Sequence, residues 1–94
     1  MNDALTNLAA GWAQHLATTG VLAHRDLNGV GGWTYLGETI VQGSCGISDD
    51  AVVNLWMNSP PHRDTMLSPV YTSAGVARAC AADGREWVVA DFGG

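Results

Sequence analysis

Residues 74–92, with the sequence AGVARACAADGREWVVADF, contain two runs suited to β-strands, at 74–81 and 85–92. Ala82-Asp83-Gly84 separates the two runs. An Asp-Gly pair in such a position favours a tight hairpin turn, because glycine readily adopts the positive φ angles that these turns require. The second run also carries residues of high strand propensity, namely Trp87, Val88, Val89 and Phe92. The stretch therefore predicts an antiparallel hairpin.

The first helix is predicted at the start of the chain, over residues 3–19. Apolar side chains recur there at helical spacing along one face, at Leu5, Leu8, Trp12 and Leu16. Asp3 suits the N-terminal end, either as the cap or as an acid in the first turn, and Gly20 is placed to end the helix.

A second helix is predicted over residues 48–58, with Ser48 as its N-cap. Its buried face would carry Val52, Leu55 and Trp56. Proline cannot continue a helix interior, so the chain must turn at Pro60 and Pro61. A third, short helix would then run from Pro60 to Met66, with Ser59 as its cap.

Residues 39–42, which include Ile40 and Val41, favour a short third strand. Together the elements predict an α+β fold in which helices flank a small, largely antiparallel sheet. The 94 residues are enough for a single domain, 1–94. Because 47% of the residues are hydrophobic, this domain can form a core, and intrinsic disorder is excluded.

The charge balance excludes some classes of partner. Nine acidic residues stand against four arginines, with no lysine, for a net charge of −5. Such a chain has no electrostatic attraction for nucleic acid or for anionic membrane surfaces. Its apolar stretches are too short for a transmembrane helix, and the first twenty residues lack the features of a signal peptide. If the protein is exported, we expect this chain to be a mature form or an excised domain.

The two cysteines, Cys45 and Cys80, allow two interpretations. One disulfide would close a loop of about 36 residues and stabilise the fold by about 4 kcal/mol on the chain-entropy model. Alternatively, both thiols are free and buried, since cysteine is among the most buried residue types.

Three ionisable residues are candidates for chemistry: His24, Glu38 and His62. Two imidazoles and a carboxylate could bind Zn²⁺ and leave a fourth position open to water. The same set could perform acid–base chemistry near neutral pH. Their spacing matches no metal-binding motif, and this favours the alternative that they are polar residues that hydrogen-bond loops together.

The four tryptophans, Trp12, Trp33, Trp56 and Trp87, are expected mainly to pack in and around the core. Trp33 lies in a glycine-rich segment and is the tryptophan best placed to line a groove. His15 lies at the edge of the apolar stripe of the first helix, where we expect a partly exposed surface histidine.

Several segments in order along the chain resemble one family. Residues 56–63, WMNSPPHR, resemble the Trp-x-x-Ser-Pro-x-His-Arg block of bacterial domains of the CAP superfamily, which includes cysteine-rich secretory proteins, antigen 5 and pathogenesis-related class 1 proteins. Leu22–Arg25 resembles the segment of the family's first histidine, and Gly37–Ile40 resembles its Gly-Glu-Asn-Ile segment. Residues 66–72 and 87–93 resemble the later motifs, so the resemblance covers roughly residues 5–93.

The resemblance implies an α-β-α sandwich in which His24, Glu38 and His62 converge on one open cavity. Members are typically secreted, which favours a Cys45–Cys80 disulfide over free thiols. Some members bind divalent metal, chiefly zinc, through the two histidines. Others bind sterols or other lipids, or act in adhesion or at cell walls.

The sequence also departs from the family pattern. Eukaryotic members have a second cavity glutamate near the positions that Asn58 and Ser59 occupy here, and Thr39 replaces the usual asparagine. The family's opening helix is not found before residue 3. Either this sequence is a piece of a longer chain that includes the helix, or the face that the helix would cover is buried otherwise, for example in a homodimer, because uncovered apolar surface promotes association.

The first functional hypothesis is a secreted bacterial binding domain. In it, His24 and His62 ligate a divalent ion such as zinc, and Glu38 accepts a hydrogen bond from one histidine or joins the ligand shell. A small apolar or lipid ligand is a variant of this hypothesis. The alternatives are a metal-assisted or acid–base hydrolase, with Glu38 as the candidate catalytic residue, and a non-catalytic adhesion or cell-wall domain with a cell-surface partner.

Overall fold

The computed structural model describes residues 2–27 and 30–94 of the chain. Within these ranges it contains three helices and one three-stranded sheet. In chain order the elements are α1 (Asp3–Thr19), β1 (Leu36–Ser44), α2 (Asp49–Met57), α3 (Pro60–Leu67), β2 (Ser73–Cys80) and β3 (Arg85–Gly93). No helix in the described ranges is both long enough and apolar enough to cross a membrane.

Helix α1 has the predicted bounds, and both of its ends are capped. The Asn2 side chain accepts a hydrogen bond from the Leu5 N–H at 3.1 Å, so Asn2 is the cap and Asp3 is an acid in the first turn. At the other end Gly20 has a φ of 70°, and its N–H donates to the Leu16 carbonyl at 2.8 Å. This left-handed cap explains why the helix ends at a glycine.

The sheet has the order β1-β3-β2, and β3 is antiparallel to both neighbours. The β2–β3 pair is the predicted hairpin, with Gly84 at a φ of 87° in its turn. Strand β1 is longer than the predicted 39–42, because Leu36–Ser44 pairs with β3 along its whole length. Gly37 and Gly43 weaken the local strand signal, and the cross-strand pairing outweighs it.

The two faces of β3 are covered by different helices. On one face Trp87 and Val89, with Ile40 of β1, pack against small residues of α1, namely Ala9 and Ala13, and against Leu16. On the other face Val88 and Ala90 pack against Val52 and Trp56 of α2. A strand buried on both faces explains the nearly continuous apolar run in β3. The result is the predicted α+β fold, with helices on both faces of a small antiparallel sheet.

The short helices α2 and α3 begin in different ways. The Ser48 hydroxyl accepts from the Ala51 N–H at 3.1 Å and caps α2 as predicted. Ser59 precedes α3 in extended conformation, but its side chain makes no capping hydrogen bond, contrary to the prediction. A cap side chain accepts from the second or third helical N–H. Pro61 has no N–H, so only the His62 N–H remains, and the Ser59 hydroxyl does not accept from it.

Cys45 and Cys80 form a disulfide, with their Cα atoms 5.7 Å apart. The bond joins the chain just beyond β1 to the end of β2, so it links the two strands that flank β3. It therefore closes the end of the sheet at which the β2–β3 hairpin turns.

An ion pair between Arg78 and the buried Glu86 lies at the same end. The Arg78 guanidinium donates to both Glu86 carboxylate oxygens, at 3.1 and 2.8 Å, and to Asp49 at 2.8 Å, and it also contacts the Ile47 carbonyl. The hydrogen bond from Arg78 lowers the pKa of Glu86, against the opposing effect of burial. Glu86 therefore stays ionised, and Arg78 ties the start of α2 to the sheet.

We expect the Cys45→Ser, Cys80→Ser double variant to lower the free energy of unfolding by about 4 kcal/mol, because the unfolded chain regains the entropy of the closed loop. Urea denaturation followed by circular dichroism measures this loss. Reduced wild-type protein serves as the control and should unfold at the same urea concentration as the variant. Equal midpoints for the variant and the oxidised wild type would contradict the prediction.

Candidate functional site

The segment that carries His24 is held against α1 by two neighbouring side chains. The Trp12 indole N–H donates to the Ala23 carbonyl at 2.8 Å. Arg25 donates to the Leu8 carbonyl at 3.3 Å, and its guanidinium carbon lies 5.9 Å from the centre of the Trp12 ring. These contacts fix the backbone on both sides of His24, although the segment has no regular secondary structure.

His24 and Glu38, two of the three residues that the family resemblance places at one cavity, are in direct contact. His24 Nδ1 lies 2.9 Å from Glu38 Oε1, and the Arg25 backbone N–H donates to the same oxygen at 3.4 Å. The Glu38 side chain is only 2% exposed, whereas the His24 side chain is 58% exposed. A buried carboxylate thus orients an imidazole whose ring is open to solvent.

The contact also assigns the protons of the neutral His24 ring. An ionised carboxylate can only accept hydrogen bonds, so Nδ1 carries the hydrogen and Nε2 keeps its lone pair. The available nitrogen, Nε2, is therefore a base or a metal ligand rather than a donor.

Asp91 is a further member of this cluster that the sequence analysis missed. It lies directly opposite Glu38 in the β1–β3 register and is fully buried. Burial raises the pKa of Asp91 to about 8, with further contributions from its hydrogen bond with Glu38 and from the Glu38 charge, while Arg25 and His24 act in the opposite direction. Asp91 is therefore neutral over most of the physiological pH range. An aspartate inside a strand of otherwise apolar residues is the signal that could have revealed it.

His62 is the third residue of α3 and is half-buried. No hydrogen bond or ion pair joins it to His24 or Glu38 within the described part of the chain. Residues 2–27 and 30–94 contain no group of three or more His, Cys, Asp or Glu side chains arranged to hold a metal ion. The cluster in the described residues thus consists of His24, Glu38 and Asp91: His24 contacts Glu38, and Asp91 lies opposite Glu38 in the sheet.

The arrangement around His24 fits an imidazole that ligates a metal through Nε2. Metal-binding histidines usually donate their other N–H to a carboxylate or carbonyl, which fixes the ring and increases its basicity. Glu38 supplies that carboxylate here, and it is committed to His24 and Arg25. Glu38 is therefore suited to orient a histidine that binds a metal ion, rather than to bind the metal ion itself.

The tryptophans occupy two kinds of position. Trp56 and Trp87 are core residues, 4% and 0% exposed. Trp33 packs against the backbone of Gly93, where a Cβ atom would lie 2.6 Å from the ring. It lines a groove of about 250 Å³ with Leu27, Val30, Thr34 and Leu36. His15 is exposed and stacks on Trp12 at a centroid distance of 4.5 Å.

A larger and more apolar groove lies between α2 and the hairpin, and its volume is about 360 Å³. Its lining residues are Asp49, Val52, Val53, Trp56, Val76, Arg78 and Val88. His24, Glu38 and His62 are not among them. This groove and the Glu38–Asp91 pair lie on opposite faces of the sheet, because neighbouring residues along β3 point to opposite sides.

The helices on both faces of a three-stranded sheet, with a His–Glu pair beside its edge strand, define an α-β-α sandwich domain of the kind that the sequence resembles. The sequence model of the cysteine-rich secretory protein (CAP) family matches residues 1–92 of this chain. The chain therefore belongs to the CAP family.

Solved structures with the same fold include two bacterial proteins. An outer surface protein from Borrelia burgdorferi superposes with a TM-score of 0.80 at 24% identity, over 98% of this chain and 74% of that one. An extracellular protein containing an SCP domain from Bacillus anthracis has a TM-score of 0.73 at 20% identity, over 98% of this chain and 32% of that one. This chain thus spans about three quarters of the first protein and about a third of the second. A comparison with curated proteins gives no significant match.

We expect the Asp91→Asn variant to change how stability depends on pH. Folding raises the pKa of Asp91 from 3.8 to about 8, so between these values the folded state binds more protons than the unfolded state. Wild-type stability should then fall as pH rises through this window, by at most about 1.4 kcal/mol per pH unit from this group. Asparagine does not titrate, so the variant should lose this slope. Urea denaturation at pH 5, 6, 7 and 8 measures it.

Asp83→Asn is the matched control for this experiment. Hydrogen bonds from the Arg85 backbone and side chain lower the pKa of Asp83, so this residue stays ionised from pH 5 to 8. The control should keep the wild-type slope. If Asp91→Asn and Asp83→Asn gave the same slope, Asp91 would not be the group that titrates.

Proposed function

We propose that this chain is an extracellular bacterial CAP domain that binds its ligand through His24, with Glu38 holding the imidazole in place. The observation that carries the proposal is the 2.9 Å contact between the exposed His24 ring and the buried Glu38 carboxylate. The extracellular location is supported by the names of the two structural neighbours and by the disulfide, which forms and persists in oxidising compartments.

For the ligand itself we propose a divalent cation, with zinc as the first candidate. His24 Nε2 and an imidazole nitrogen of His62 would bind it, and water would complete the coordination. Both histidines must be neutral to ligate, so affinity should fall as pH decreases through the imidazole range. The bound ion would supply a positive charge and open coordination positions for a further ligand.

Calorimetric titration of metal-free protein with zinc at pH 7.5 tests this proposal. We expect one site per chain, a loss of at least tenfold in affinity for His24→Ala and for His62→Ala, and a loss of about 10–100-fold for Glu38→Gln, whose amide is a weaker acceptor for the ring N–H. His15→Ala is the control, because this exposed histidine stacks on Trp12 outside the site. Undiminished zinc uptake by the His24→Ala, His62→Ala double variant would rule out the metal site.

A second ligand class, a small apolar molecule such as a fatty acid, is favoured by the groove between α2 and the hairpin. Its valines and Trp56 provide an apolar lining, while Asp49 and Arg78 add charge. A volume of about 360 Å³ is within the range of small-molecule sites. The ligand would occupy this groove rather than the vicinity of His24.

Quenching of tryptophan fluorescence by a bromine-labelled fatty acid tests the groove, because Trp56 lies in its wall. We expect Val53→Asp to weaken binding by at least tenfold, since it places a carboxylate in the apolar lining. Leu55→Asp is the matched control, because Leu55 lies on the same helix and is 48% exposed, close to the 45% of Val53, but does not line the groove. Equal quenching in both variants would contradict the assignment.

The homodimer expected from the sequence would form through the face that the family's opening helix covers, and a second copy of the chain is the alternative occupant of this groove. Sedimentation of the wild type and of Val53→Asp distinguishes a second copy of the chain from a small ligand as the occupant of the groove. A dimer that only Val53→Asp disrupts would assign the groove to a second copy of the chain, whereas a monomer that takes up fatty acid would assign it to a ligand.

A further inference from the structure

The side chains of Glu38 and Asp91 are both buried. The two residues face each other across β1 and β3, and Gly75 of β2 is opposite Asp91 on the other side. The backbone of α1 at Leu5 and Thr6 lies so close to Gly75 that no side chain would fit there. Asp91 is therefore covered by α1 and fully buried, and the Glu38 side chain is only 2% exposed.

Three of the four carboxyl oxygens of this pair lack a hydrogen-bond donor. Glu38 Oε2 and both Asp91 oxygens are buried, and no N–H or O–H of the described residues reaches them when both acids are ionised. Among residues 2–27 and 30–94, the donors that reach the pair are His24 and the Arg25 N–H, and both contact Glu38 Oε1. Two adjacent buried carboxylates cannot both be ionised at acceptable cost, so one of them keeps a proton and shares it with the other.

Asp91 is the member that keeps the proton. Glu38 accepts hydrogen bonds from His24 and from the Arg25 N–H, whereas Asp91 receives none from the described residues apart from its contact with Glu38. The charged groups that act on Asp91 are Glu38, which opposes its ionisation, and Arg25 and His24, which favour it. The raised pKa of Asp91, about 8, agrees with this assignment.

We propose that Asp91 is a positioning residue, which as a neutral acid donates a hydrogen bond to Glu38 and so keeps Glu38 in place as the acceptor for His24 Nδ1–H. The inference rests on the proposed function only in that His24 is taken as the ligand-binding group. Its consequence is chemical: with Nδ1 committed as a donor, the exposed ring presents Nε2 as a lone pair. A buried residue without solvent access thereby sets which nitrogen of His24 can ligate or accept a proton.

Two-bond ¹H–¹⁵N correlation spectra of the ligand-free protein at pH 7 test this role, since they distinguish the two neutral forms of each histidine ring. In the wild type we expect the Nδ1–H form of His24 to exceed the Nε2–H form at least tenfold, as a charge-assisted hydrogen bond implies. Asp91→Asn should keep this ratio, because its amide can still donate to Glu38. Asp91→Ala should reduce the ratio to about threefold or less. His15 and His62 serve as internal references and should not change.

Three outcomes would overturn the proposal. The first is a wild-type His24 ratio in Asp91→Ala, which would leave Asp91 with a purely structural role. The second is an Asp91→Asn spectrum like that of Asp91→Ala, which would mean that donation to Glu38 is not what matters. The third is an ionised Asp91 in the wild type at pH 6, read from the ¹³C shift of its carboxyl carbon. This last measurement needs no variant and holds even where Asp91→Ala does not fold.

Because all of these spectra are recorded without metal or lipid, they separate this inference from the proposed function. A His24 that binds no zinc but shows the expected ratios would refute only the metal site. A His24 that binds zinc with equal affinity in wild type and Asp91→Ala, and with unchanged ring form, would refute only the role of Asp91.

Discussion

The antiparallel register between β1 and β3 is the constraint on which both the fold and the site depend. It places Ile40 beside Val89 on the face that α1 covers, and two residues further along it places Glu38 beside Asp91 on the same face. A shift by one residue would turn Ile40 and Glu38 to the opposite face of the sheet. The apolar packing against α1 therefore fixes the register, and the register brings the two acids together.

The position of α1 depends in turn on small residues. Ala9 and Ala13 face the sheet from the helix, and Gly75 faces the helix from β2, so the two backbones approach closely. This close approach excludes water from Asp91. The same helix supplies Trp12, which holds the segment before His24 by its bond to the Ala23 carbonyl. Helix α1 thus has two roles: it covers the acid pair, and through Trp12 it holds the segment that carries the His24 imidazole.

Much of the fold could be predicted because its signals are local. The spacing of Leu5 and Leu16, the capping glycine and the Asp-Gly turn each act within a few residues, and the structure confirms the elements that they predict. The full length of β1 could not be predicted, since Gly37 and Gly43 carry little strand preference and only pairing with β3 extends the strand. The missing side-chain cap at Ser59 has a partly local background, because Pro61 removes one of the two N–H groups that such a cap can accept from and leaves only that of His62.

The candidate site, like the fold, could be predicted from the sequence only in part. His24 and Glu38 stood out because they are ionisable residues beside glycine-rich and irregular segments, and their resemblance to a family pattern brought them together before any distance was known. Asp91 did not stand out, because its importance depends on Glu38, which lies opposite it in another strand and 53 positions earlier in the sequence. A cross-strand neighbour is a property of the folded chain, and no periodicity within β3 indicates it.

Burying the acid pair reduces stability, and the rest of the structure must offset that loss. Above the ordinary pKa of an aspartate, folding requires Asp91 to take up a proton, so its burial weakens the fold increasingly as pH rises toward 8. The stabilising contacts that compensate lie at the other end of the sheet, where the disulfide and the Arg78–Glu86 pair join β1, α2 and the hairpin. These stabilising contacts and the His24–Glu38 contact thus lie at opposite ends of the sheet. Removing the disulfide should therefore lower the free energy of unfolding but leave the neutral form of the His24 ring unchanged. The reason is that the paired residues Ile40 and Val89 lie between the disulfide end of the sheet and the acid pair.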